Sequence, residues 1–130
     1  MQITRKFVHG ELFEKQWRDL NLTDEDLREL QSMLLENPKL GPVISGTGRL
    51  RKLRYSYGNR GKSHCARVCY VDFEINGIIF LIMVFAKKEM DNLSAAEKNS
   101  IKNLIDKLEH LYNRKDELLW AKHIIWFLHL

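Results

Sequence analysis

Residues 78–86 read IIFLIMVFA, nine consecutive positions with no charge, glycine or proline, and they follow Asn76-Gly77 directly. The run is too short to cross a membrane, which takes about 20 apolar residues as a helix. Isoleucine, valine and phenylalanine favour the pleated conformation, and Asn-Gly accepts the positive φ angles of a tight hairpin turn. The segment therefore reads as a strand, paired through that turn with another over 66–74. Because its apolar residues do not alternate with polar ones, it is covered on both faces for part of its length, as a central strand is. A chain containing such a strand must supply apolar layers to cover it.

The rest of the sequence offers them. Residues 11–20 place Leu12, Phe13, Gln16 and Trp17 at helical spacing. Thr23 with Asp26 three positions on is close to a capping box, and Leu27, Leu30, Leu34 and Leu35 follow on one face of a second helix. Asn37-Pro38 ends it, since a residue before proline avoids the helical region. Ser94 with Glu97 opens a third helix, with Ile101, Leu104, Ile105, Leu108 and Leu111 as its buried stripe. Residues 3–8 and 50–57 read as further strands, 39–48 as a glycine-rich loop, and 58–64 as a turn or longer connection. The expected class is α+β: two N-terminal helices packed on a small antiparallel sheet, with a C-terminal helix. A chain of 130 residues supports one core. The domain is placed at 1–112. Residues 113–130, ending WAKHIIWFLHL, read as a hydrophobic C-terminal extension with no chemistry of their own.

Charge is distributed unevenly. Positions 11–36 hold eight acidic residues against Lys15, Arg18 and Arg28, whereas positions 49–88 hold nine basic residues against Asp72 and Glu74. Between Arg49 and Arg67 seven cations occur with no acid, interleaved with Leu50, Leu53, Tyr55 and Tyr57. This is the pattern of a folded sheet rather than of a disordered tail. Like charges held on one surface repel, so an anionic partner is expected, phosphate first.

Strand alternation puts Lys52 and Arg54 on the face opposite Arg51, Leu53 and Tyr55, and Arg67 with Cys69 and Val71. Lys52, Arg54 and Arg67 would then form a cationic patch bordered by Lys87 and Lys88, with Arg67 as an exposed strand-face residue. Arg49, Arg51, Arg60, Lys62 and His64 are further candidates for RNA contact. Such a patch could bind RNA or cleave it through the ribose 2′-hydroxyl, and residue chemistry alone favours binding. Cleavage requires a base, charge stabilisation at phosphorus and an acid. His64 is the only histidine near, so a lysine of lowered pKa could replace it as base.

Other chemistries find little support. The phosphate-loop spacing GxxxxGK[ST] and the GxSxG elbow are missing. Cys65 and Cys69 on one strand lie about 13 Å apart, too far for a disulfide. No CxxC pair occurs, and no metal or cofactor is expected. The N-terminus lacks a signal-peptide core, so a cytoplasmic location with no membrane partner is expected.

The run NPKLGPVISGTGRLRKLR, followed by GNRGKSHCARVCYVDFEINGIIFLIMVFAKKEMDNLSAAEK, resembles the RelE superfamily of bacterial toxins, and within it the HigB-like branch. The resemblance covers about residues 3–108 and is most specific over 37–93. It implies the toxin of a type II toxin–antitoxin system, an mRNA interferase and endoribonuclease that cleaves messenger in the ribosomal A site. The implied partners are a cognate helix-turn-helix antitoxin, the ribosome with its mRNA, and operator DNA reached through the antitoxin. The family's catalytic cations map onto Lys52, Arg67 and Lys88, with Arg54 and Lys87 beside them. A tyrosine that some relatives carry after the last cation is replaced here by the run Asp91-Asn92-Leu93-Ser94, and the family's paired glycines by His64-Cys65. Two alternatives share the pattern: a non-catalytic regulator that binds RNA or antitoxin, and a gyrase-directed toxin of the ParE type.

Overall fold

The computed structural model describes residues 5–58, 64–86 and 93–114. The elements are β1 (Lys6–His9), α1 (Glu11–Asp19), α2 (Asp24–Glu36), β2 (Arg51–Tyr57), β3 (His64–Phe73), β4 (Ile78–Ala86) and α3 (Ala95–Asn113). The strands form one sheet in the order β1-β4-β3-β2. The apolar strand β4 is central, and β2–β3 and β3–β4 pair antiparallel.

Two expectations are corrected. The sheet is mixed, because β1 runs parallel to β4 from Lys6 opposite Ile78 to His9 opposite Leu81. Such a pairing joins strands some 70 positions apart, and no hairpin signal marks it. The β3–β4 turn also spans four residues, 74–77, rather than two. Asn76 N–H donates to the Phe73 carbonyl and Gly77 N–H to that of Glu74, with Gly77 at φ +67°. A longer loop built on such a turn is the next commonest hairpin connection.

Helices cover both faces of the sheet. On one face Leu53, Tyr55, Ala66, Val68, Tyr70, Ile79, Leu81 and Val84 pack with Phe13, Trp17, Leu30 and Leu34 of the helical hairpin. On the other, Cys69, Val71, Phe73, Ile78, Phe80, Ile82 and Phe85 pack with Ile105, Leu108 and Tyr112 of α3. Leu35, placed on the buried stripe from sequence, is 39% exposed. Both capping boxes form, at Thr23–Asp26 and Ser94–Glu97. The α1–α2 turn uses Asn21 at φ +60°, with Leu22 N–H donating back to the Trp17 carbonyl. This closes α1 with a left-handed residue, as helix ends commonly do.

A bulge in β4 sets the register near the basic face. Tyr70 is opposite Leu81, but Cys69 is opposite Met83, so Ile82 has no partner. Ile82 and Met83 both turn toward the α3 side. The one-residue shift puts Phe85, rather than Val84, beside Arg67. Bulges re-aim side chains in this way.

Candidate functional site

The loop of residues 37–50 is fastened to the start of β2 by its own backbone. Ile44 N–H donates to the Leu50 carbonyl (2.8 Å) and Lys52 N–H to that of Pro42 (3.0 Å). The fully buried Tyr70 hydroxyl accepts from Gly41 N–H and donates to the Pro38 carbonyl, both at 2.9 Å. A Cβ on Gly41 would stand 2.9 Å from the Lys52 carbonyl oxygen, so only glycine permits this approach. The backbone carrying Lys52 is thereby held from the edge of the sheet.

From there the register builds three rows on the α3 side of the sheet. Lys52 is opposite Cys69, which is opposite Met83; Arg54 is opposite Arg67, which is opposite Phe85; and Ser56 is opposite Cys65. The sheet thus brings together Lys52, Arg54 and Arg67, as strand alternation predicts. Arg67, expected to be exposed, is only 8% exposed. It stands between Phe85 of β4 and the exposed Arg54 of β2.

The polar partners of this face are few. Arg67 Nη1 donates to the Cys65 Sγ at 3.0 Å. Ion pairs hold Arg5, Lys15, Arg18, Lys39 and Arg49, whereas among the described residues no carboxylate pairs with Lys52, Arg54 or Arg67. Burying a charge without an opposite charge is costly, so an anion arriving here would be bound favourably. Beside Lys52, burial pushes the Cys69 thiol up to about 12, which makes it an inert part of the core.

The other candidates lie elsewhere. Arg51, on the opposite face as expected, donates to the Gly41 carbonyl (2.8 Å) and that of Lys39 (3.3 Å). Arg49 pairs with Glu109 at 2.6 Å and lies over the Phe73 ring. Both line a cavity of about 220 Å³ with Lys39, Asp72, Glu74 and Glu109, where the charges are mixed. His64 opens β3 rather than sitting in a loop, and its parity places it on the helical-hairpin side, stacked on Tyr57. Arg60, Lys62, Lys87 and Lys88 lie outside the described residues.

A larger cavity of about 500 Å³ lies between α2 and the end of β2, lined by Glu25, Asp26, Glu29, Tyr55 and Tyr57 among others. Its carboxylates make it unsuited to phosphate. Burial and the Asp26 carboxylate push the Tyr55 phenol far above its ordinary value, so it acts as a hydrogen-bond donor there. Cys65 and Phe85 were not anticipated as neighbours of the arginine pair. Alternation could have placed Cys65 beside Arg67, whereas Phe85 depends on the bulge. No protein-family model matches the chain.

Proposed function

We propose that this chain is a RelE-like toxin of the HigB type, acting in the cytoplasm as a ribosome-dependent mRNA interferase. One observation supports the reading above the others: a nine-tenths-buried arginine with no carboxylate partner among the described residues, directly across from a second arginine on a rigid sheet. Two arginines held opposite one another on adjacent strands suit a phosphodiester passing from substrate to transition state, in which negative charge grows on the non-bridging oxygens. In the proposed reaction the ribose 2′-hydroxyl attacks the adjacent phosphorus, its proton leaves to a base, and the 5′-oxygen departs with a proton. Arg67 and Arg54 would hold the phosphate. Lys52, two residues along the same strand face, would serve proton transfer or charge, and the catalytic role of Lys88, which sequence places at the border of the patch, comes from the family resemblance.

A non-catalytic RNA- or antitoxin-binding regulator is the second reading, and a specific observation favours it. The three rows of the basic face contain no imidazole or carboxylate, and His64 is on the other side of the sheet. Proton traffic would then rest on lysine or on the ribosome.

Induced expression followed by primer extension on cellular messages tests these readings. Breaks positioned by codon support the interferase. DNA breaks that depend on gyrase would instead identify a ParE-type toxin, and growth arrest with neither kind of break would leave the regulator.

A further inference from the structure

Cys65 has two polar contacts with distinct roles. Its S–H donates to the Ala66 carbonyl (3.8 Å), while its sulfur accepts from Arg67 Nη1 (3.0 Å). An arginine as buried as Arg67 is ordinarily held by a carboxylate, which would also cancel its charge. A thiol orients the group while leaving that charge uncancelled. Ser56 lies across from Cys65 and Arg54 across from Arg67, so β2 offers no acid at these rows.

We propose that Cys65 is a positioning residue, which fixes the Arg67 guanidinium toward an incoming phosphate without neutralising it. The inference rests on the reading of Arg67 as the phosphate-holding residue. Side-chain identity at position 65 then sets activity by two separable properties, the presence of an acceptor and the absence of negative charge. Serine satisfies both, alanine lacks the acceptor, and aspartate supplies an acceptor together with the charge that cancels the arginine.

The test is the cleavage rate of ribosome-bound messenger by the full chain carrying Cys65→Ser, Cys65→Ala or Cys65→Asp, with melting temperatures measured alongside. The serine variant should remain within about threefold of the parent and the alanine variant should lose about tenfold in kcat with KM little changed. The aspartate variant should lose about 10²-fold, although its melting temperature is not lowered. Equal rates in all four proteins, or rates that simply follow melting temperature, overturn the proposal. If the parent chain cleaves nothing, the interferase reading fails, and affinity for a short single-stranded RNA takes the place of rate. The same ranking in affinity supports the positioning role, and four equal affinities overturn it.

Discussion

Arg67 carries its charge at 8% exposure, across from Arg54 and against a thiol. Such an arrangement trades stability for readiness to bind an anion. Arg67→Met keeps the apolar stem and removes both the desolvated charge and the repulsion from Arg54. The variant should melt about 3–5 °C higher, corresponding to about 1 kcal/mol at this chain length, while RNA cleavage falls about 10²-fold or more. A melting temperature several degrees below that of the parent would show that Arg67 serves the core, and the site assignment would lose its main support. Arg28→Ala, at an exposed position of α2, is the control and should match the parent in RNA cleavage. Tyr70 illustrates the opposite case, a polar group whose value is structural. Tyr70→Phe deprives Gly41 N–H of its acceptor and the Pro38 carbonyl of its donor. The expected loss is about 1–3 kcal/mol in denaturant unfolding, and a loss below about 0.5 kcal/mol would mean that the loop rests on its backbone bonds alone.

At the scale of elements, the helix starts follow from a few adjacent residues. Ser94 Oγ accepts from Glu97 N–H and Glu97 Oε1 from Ser94 N–H, with the equivalent pair at Thr23 and Asp26. The bonds from Ser94 hold the Glu97 carboxyl below its ordinary value of 4.5. A group whose pKa is lower in the folded state stabilises the fold above its unfolded pKa, and that contribution disappears as pH falls through the folded value. The melting temperature of the parent should therefore exceed that of Glu97→Gln near pH 6, and the gap should close as the pH drops below about 4.5. A gap that stays constant down to pH 3 would mean that the amide caps as well as the carboxylate. Strand pairings differ in how far they can be read from such local cues. The β2 and β3 alternation marks which residues share a face, but the β4 bulge, which gives Arg67 its phenylalanine neighbour, has no glycine or proline to announce it.

At the scale of the molecule, the sheet separates two kinds of surface. The helical hairpin with its acidic residues covers one side, and Lys52, Arg54 and Arg67 lie on the other beyond the reach of its carboxylates. Sequence places the domain end at 112; α3 runs to Asn113, where Asn76 Nδ2 donates to its side-chain oxygen, and Tyr112 is part of the core. Residues 115–130 lie outside the described residues. Among the described residues both core clusters reach as far as Tyr112; a chain ending at Arg114 should keep its fold and, on the proposed reading, RNA cleavage. It should also be more soluble once the apolar run of residues 120–130 is removed. Thermal melting with light scattering checks this, and a fall of more than about 10 °C, roughly 2 kcal/mol for a domain of this size, would make the removed segment part of the core.

By itself the sequence determined the features that depend on near neighbours. Both capping boxes, the helix stop at Asn37-Pro38, the span and central place of β4, and the common face of Lys52 and Arg54 follow from residues a few positions apart. They rest on hydrogen bonds within a turn or on alternation along a strand, which the chain carries wherever it folds. Only the tertiary structure decided that β1 lies parallel to β4, that β3 begins at His64 and turns it away from the basic face, and that Arg67 is nearly buried against Cys65. Each depends on which distant segments meet. Burial in particular belongs to the packed structure, and nothing adjacent to Arg67 in the sequence records how much of it will be covered.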